Sequence, residues 1–116
     1  MTGRQIKKLV IQMLTDARNI VKTSCTQKAF ARDKNGFQCY YYEPQAVLFC
    51  ASGAIKLSAK NNKAQWFEEE MTFYLFKAAN NITDLIGNWN DKPDRTQAEV
   101  LEAFNKAIAY TKRTKL

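Results

Sequence analysis

The sequence predicts a mainly α-helical protein: a compact bundle of four to five helices with a short irregular or β-hairpin insertion after the first helix. Apolar residues recur every three or four positions over most of the chain, which is the spacing of one helix face. The period is lost between residues 23 and 43, where residues 33–36 (Asp-Lys-Asn-Gly) are typical of a tight turn. The 116 residues suffice for one core, so we expect a single domain over residues 1–116.

The first helix is predicted from Arg4 to Val21, where the apolar residues form one stripe and the polar residues form the other. After it, residues 29–32 and 37–42 flank the turn and are both able to extend. Because an isolated hairpin is marginal in water, its aromatic side chains should pack on the helices.

The second helix is predicted from Pro44, which suits a first helical turn, to about Lys60. Within it, Gly53 is interpreted as a close packing contact rather than a ligand site. Cys50 is interpreted as a core residue, since a free cysteine behaves as a small hydrophobe.

The third helix is predicted from about Lys63 to Ala79. The glutamates of residues 68–70 lie toward its start, where they suit the positive end of the helix dipole, and we interpret them as a solvated face. A short fourth helix or an extension follows around residues 82–88, and the last helix is predicted over residues 97–112.

Histidine is absent from the chain, which excludes imidazole-activated nucleophiles, histidine-ligated zinc and non-haem iron triads. The three cysteines have spacings that match no zinc or redox pattern, so we expect reduced thiols in the cytoplasm. We predict no metal, no cofactor and no membrane partner.

The net charge of +7 is distributed unevenly. Residues 1–34 carry eight Lys or Arg against two Asp, and residues 105–116 carry four against no acid, whereas the middle of the chain is acidic. Such basic ends could follow a phosphate backbone or an acidic partner. The candidate nucleic-acid residues are Arg4, Lys7, Lys8, Lys106, Lys112 and Arg113, together with Lys115.

The segment from Trp89 to Val100 is the most distinctive in the chain. Thr96 and Glu99 have the spacing of a capping box, which predicts that a helix begins here. Capping leaves Asn90, Asp91 and Arg95 without a local role. We call residues 89–96 the corner.

Two interpretations of the corner remain open. In the structural one, its polar residues and Arg32 and Asp33 of the insertion form a network, with Trp89 filling the core. In the functional one, two arginines and Asn90 hold a small anion beside Trp89 and the tyrosines of residues 40–42. The candidate binding residues are therefore Arg32, Asp33, Trp89, Asn90, Asp91 and Arg95.

Three motifs, A-F-A-R-D at residues 29–33, F-C-A-S-G-A at residues 49–54 and W-N-D-K-P-D-R-T-Q-A-E-V at residues 89–100, resemble those of a widespread uncharacterised family of short bacterial and phage proteins. The resemblance covers most of the chain. It implies a fold and a site location, and no activity.

We therefore expect a non-enzymatic binding protein that holds a partner protein or a small anionic ligand. A phage or mobile-element accessory role, in the host cytoplasm, is compatible with the resemblance. One alternative is a nucleic-acid binder that uses the basic ends. The other is a small enzyme that uses carboxylates such as Asp91 and Asp94 as acid and base.

Overall fold

A computed structural model describes residues 1–116 as five helices and one small sheet, which confirms the predicted fold class. None of the helices is both long enough and apolar enough to cross a membrane. In chain order the elements are α1 (Gly3–Thr23), β1 (Ala31–Arg32), β2 (Gln38–Cys39), β3 (Leu48–Phe49), α2 (Ala51–Asn61), α3 (Trp66–Ala79), α4 (Ile86–Asn90) and α5 (Gln97–Arg113).

Helices α1 and α5 form the centre of the bundle, and α2 and α3 pack against them. Both central helices begin with a capping box, Thr2 with Gln5 and Thr96 with Glu99. The predicted capping box at Thr96 is therefore present. Burying the apolar stripes of these helices supplies most of the driving force for folding. The largest fully buried side chains include Phe76, Phe104, Met13, Leu14 and Ile55.

The insertion forms a three-stranded antiparallel sheet with β1 in the middle. Strand β2 pairs with β1 across the predicted turn, where Gly36 has the positive φ of 86° that glycine tolerates best. Strand β3 pairs with the other edge of β1, and this strand was not predicted.

The prediction that the second helix begins at Pro44 is wrong. Leu48 and Phe49 are extended in β3, and the Phe49 N–H donates to the Ser24 carbonyl instead of to a helical partner. Helix α2 begins at Ala51, and Cys50 is its N-cap, with Sγ accepting from the Gly53 N–H at 3.3 Å. Short apolar runs fit a strand and a helix equally well, which is why periodicity alone misplaced this boundary.

Helix α2 lies against the chain that precedes β1, and Gly53 is the point of closest approach. A Cβ at Gly53 would overlap the carbonyl oxygen of Phe30 and lie 2.8 Å from its carbonyl carbon. Gly53 is thus a packing contact between two backbones.

Helix α3 begins at Trp66, three residues later than predicted, because Lys63 has a positive φ of 54° and interrupts the helix. The description of the glutamates as a solvated face is wrong for Glu68. Its side chain is buried, and its carboxylate accepts the Gln65 N–H at 2.6 Å, which caps the helix. Helix α4 extends through Asn90, so the first two residues of the corner are helical.

Candidate functional site

Asn90 ends helix α4 and is only 1% exposed. Its Oδ1 accepts the N–H of Ala51, the first residue of α2, at 3.1 Å. Its Nδ2 donates to the Thr26 carbonyl at 3.1 Å and to the Asp91 carboxylate at 3.3 Å. One amide side chain therefore joins the corner to the start of α2 and to the segment after α1.

Asp91 and Gln27 strengthen the same junction. Asp91 Oδ1 accepts the N–H of Lys28 at 2.7 Å, and Lys28 has a φ of 65°, which is unfavourable for a residue with a side chain. Gln27 Nε2 donates to the carbonyls of Asn90 at 2.8 Å and Lys92 at 2.9 Å. These bonds hold a strained turn against the corner.

Arg95 lies over the face of Trp89, with its guanidinium carbon 4.1 Å from the ring centroid. Its Nε donates to the Trp89 carbonyl at 3.1 Å, and Nη1 lies 3.4 Å from Glu99 Oε2. The Trp89 and Phe76 rings pack edge to face, with their centroids 5.8 Å apart. The Arg95 side chain is only 14% exposed, so it is largely buried against Trp89 and shields one face of the indole ring from solvent.

Glu99 is the carboxylate that connects Arg95 to the helix cap. The Thr96 backbone N–H donates to Glu99 Oε1 at 2.8 Å, and the Thr96 hydroxyl lies 3.2 Å away. These two bonds, of which the backbone one has the larger effect, hold the pKa of Glu99 below its ordinary value. The nearby Arg95 lowers this pKa further.

Arg32 and Asp33 lie in the hairpin and make no hydrogen bond to the corner. Arg32 donates to the carbonyls of Gly36 at 2.9 Å and Gln27 at 3.1 Å, so Gln27 is its link to the corner. Asp33 Oδ1 accepts the N–H groups of Asn35 at 2.9 Å and Phe37 at 3.0 Å, which fixes the hairpin turn.

All six candidate binding residues therefore have partners within the fold: hydrogen bonds to backbone groups for five of them, and packing on Phe76 and Arg95 for Trp89. The tyrosines that the functional interpretation placed beside Trp89 pack on one another, with the Tyr40 and Tyr42 rings stacked 5.4 Å apart. The carboxylates of the proposed acid and base pair also have other partners, since Asp94 lies 3.6 Å from Lys92.

A polar hollow of about 580 Å³ borders the corner. It is lined by the segment after α1, by Arg95 and by Gln97, whose Nε2 donates to the Val21 and Lys22 carbonyls at the end of α1. Arg95 is its only cation, and the carbonyl groups at the end of a helix repel anions.

Helix α3 presents an unusual outer face. At 3.6 residues per turn, six of its residues fall within about 120° of its circumference, opposite the buried Leu75 and Thr72. Trp66 is 77% exposed, Tyr74 65% and Phe67 41%. We call this face the α3 surface: Trp66, Phe67, Glu70, Phe73, Tyr74 and Lys77.

The α3 surface continues into an apolar groove of about 770 Å³. Leu85, in the connection to α4, is 67% exposed on one wall, and Phe30, from the segment before β1, is 48% exposed on another. The floor and remaining walls include Phe73, Tyr74, Ala78, Ile82 and Ile86.

The charges of this region are partly paired. Lys56 Nζ lies 3.2 Å from Glu69 Oε1. It also lies between two aromatic rings, 5.6 Å from the centroid of Phe30 and 5.5 Å from the centroid of Phe73. Glu70 and Lys77 take part in none of the three ion pairs of the structure. The groove thus holds one carboxylate and one ammonium group that have no direct ion-pair partner.

The sequence interpretation missed the α3 surface. Its signal was present, because apolar residues occur all round the predicted third helix and leave no polar face except the glutamates. A helix of that kind is either buried on all sides or carries an interaction surface.

The candidate nucleic-acid residues converge at one end of the molecule. Gln97 at the start of α5 contacts Val21 at the end of α1, and Gly3 at the start of α1 lies against Leu116 beyond the end of α5. The two helices are therefore antiparallel. This places Arg4, Lys7 and Lys8 level with Lys112, Arg113 and Lys115, with Lys106 further along α5.

Burial raises the pKa of the Cys50 thiol, and the N–H groups of Gly53 and Ser52 oppose that effect only in part. Burial also raises the pKa of Cys25. All three cysteines are free thiols. No group of three or more His, Cys, Asp or Glu side chains is arranged to hold a metal ion.

The fold and this site define a small helical protein with a minor sheet, a polar joint at the corner and an exposed aromatic helix. A family model covers residues 6–110, and the chain belongs to that family, which is described as a family of unknown function, DUF6197. The resemblance to an uncharacterised family is confirmed. No curated protein and no solved structure matches the chain.

Proposed function

We propose that the protein is a non-enzymatic interaction module that binds a protein partner through the α3 surface and the apolar groove. The observation that carries this proposal is the outer face of α3, where four of six side chains are aromatic. Contiguous exposed apolar surface is costly in water, and on a folded domain it marks a binding site. Aromatic residues also dominate the energetics of protein interfaces.

The groove indicates the chemistry of the partner. Glu70 and Lys77 lie seven residues apart on one helix face, about 10 Å along the axis. A partner helix with apolar side chains in the middle, a cation facing Glu70 and a carboxylate facing Lys77 would satisfy both charges. An amphipathic helix laid into an apolar groove is a common recognition mode.

The contacts of the corner support a structural role for it. Asn90, Asp91 and Arg95 already bond to backbone or carboxylate groups. A small anion at Arg95 would compete with Glu99, and the hollow beside it offers no second cation.

We also propose a cytoplasmic location, where the three free thiols would stay reduced. An accessory role in a bacterium or phage fits the family resemblance.

Photo-crosslinking tests the proposal. We expect p-benzoylphenylalanine in place of Tyr74 to form covalent adducts with a protein in cells that produce the chain, because this position lies in the groove. The adducts are identified by mass spectrometry. The matched control carries the same group at Gln12, which is exposed on α1, and should form none. Absence of adducts at position 74, or equal yields at both positions, would contradict the proposal.

A second candidate function rests on the end of the molecule where Arg4, Lys7 and Lys8 lie level with Lys112, Arg113 and Lys115, which we call the basic end. Arg18 Nη1 donates to Asn105 Oδ1 at 3.1 Å across the α1 and α5 pair. Lys7 is eleven residues from Arg18 and Lys112 is seven from Asn105, so both lie on that side of the pair after whole numbers of turns. None of these lysines is in an ion pair. Unpaired cations on two adjacent helices could follow a phosphate backbone.

Salt dependence tests this candidate. If about four phosphates are contacted, the affinity for a generic DNA duplex should fall about 100-fold between about 50 and 200 mM salt. Changing Lys112→Ala with Arg113→Ala should reduce the salt slope by about 2, whatever the DNA sequence. Fluorescence anisotropy measures both. Lys34→Ala with Lys60→Ala is the control, and equal weakening by that pair would remove the basic end as the site.

A further inference from the structure

The charges on the α3 surface are self-complementary. Glu70 and Lys77 are equidistant from the midpoint of the segment between them, which falls between Phe73 and Tyr74. A second α3, turned end to end about that midpoint, therefore sets Glu70 of each copy opposite Lys77 of the other. Both charges lack an ion-pair partner within one chain.

We propose that the partner of the α3 surface is a second copy of this chain, in a two-fold symmetric dimer with antiparallel α3 helices. This inference rests on the proposed function. In such an interface, if residue i contacts residue j then j contacts i. The Glu70 to Lys77 contact is thus made twice, and Phe73 and Tyr74 pack near the axis.

In the same register, Trp66 of the second copy is the side chain that occupies the apolar groove. This register sets Trp66 of one copy just beyond the end of the other copy's α3 at Ala79, from where the chain continues to Ile82 and Leu85 of the groove. Trp66 is the most exposed large apolar residue of the chain, at 77%. Its indole group would be buried in the groove of the second copy, and symmetry repeats this contact.

The net charge of +7 does not oppose this arrangement strongly. The buried face of α3 packs on α1 and α5, so its outer face points away from the helices that carry the converging lysines. The α3 surface itself contributes one carboxylate and one ammonium group. Repulsion between the basic ends is weakened further by salt screening over about 10 Å.

Charge reversal tests the dimer. Sedimentation velocity of the wild-type chain at about 100 μM should give twice the mass of one chain. Glu70→Lys should weaken self-association at least about tenfold, because it sets two ammonium groups against each other at both contacts, and Lys77→Glu should do the same with carboxylates. An equimolar mixture of the two variants should dimerise again, since each copy then meets the opposite charge at both contacts.

The control is Lys34→Glu, a reversal of similar size on the hairpin, which should leave the dimer intact. A wild-type monomer at about 100 μM would overturn the inference, as would a dimer that survives both reversals or a mixture that stays monomeric. Adducts of position 74 with a different protein would then keep the proposed function, whereas no adducts at all would remove it as well.

Discussion

Replacing Asn90 with alanine is expected to lower the free energy of unfolding by about 2 to 4 kcal/mol. The change leaves two backbone groups without partners: the N–H of Ala51, which is fully buried, and the carbonyl of Thr26. Each unpaired buried group costs about 1 to 3 kcal/mol. The helix and the segment that Asn90 joins are far apart in the chain, so no local bond replaces it.

Urea denaturation at one fixed protein concentration measures this effect, because the stability of a self-associating chain depends on concentration. Asn88→Ala is the matched control, since Asn88 is exposed and bonds only to Asp84. It should change stability by less than about 0.5 kcal/mol. A loss of less than about 1 kcal/mol for Asn90→Ala would mean that the corner is not a structural joint.

Gly53→Ala is expected to destabilise the protein although it places the better helix former inside α2. Propensity alone would gain about 1 kcal/mol. However, the new methyl group would overlap the Phe30 carbonyl oxygen. This oxygen belongs to the backbone, which cannot relieve the overlap by changing rotamer as a side chain can. Overpacking typically costs about 1 to 3 kcal/mol, and an overlap with backbone atoms lies at the upper end of that range or above it, so we expect a net loss of about 2 kcal/mol or more.

Gly87→Ala supplies the comparison for Gly53→Ala. Gly87 also lies in a helix, but a Cβ there would meet nothing within 4 Å. We expect this variant to be as stable as the wild type or up to about 1 kcal/mol more stable in thermal or urea unfolding. If both alanine variants gained stability, the close approach of α2 to Phe30 would not exist in solution.

Local signals were enough to predict much of the fold. The periodicity of α1, the capping box that starts α5 and the Asn35 and Gly36 turn each depend on residues within a few positions of one another. The start of α2 was not predictable in this way, because Leu48 and Phe49 are fixed by pairing with β1, and such pairing depends on tertiary structure.

The candidate site divides in the same manner. The sequence indicated that Asn90 and Asp91 need partners, but those partners lie 39 and 63 residues away, at Ala51 and Lys28. No local pattern identifies them. The α3 surface was not predictable for a different reason: a helix with apolar residues all round does not reveal which of them face the core until its neighbours are placed.

The most direct test of the account compares photo-crosslinking from the α3 surface with that from the corner. The same photoreactive amino acid is placed at Tyr74 in one variant and at Asp94, exposed in the corner, in another. If α3 binds and the corner only supports the fold, adducts should form from position 74 and not from position 94. Adducts from position 94 alone would contradict the account and make the corner the binding site.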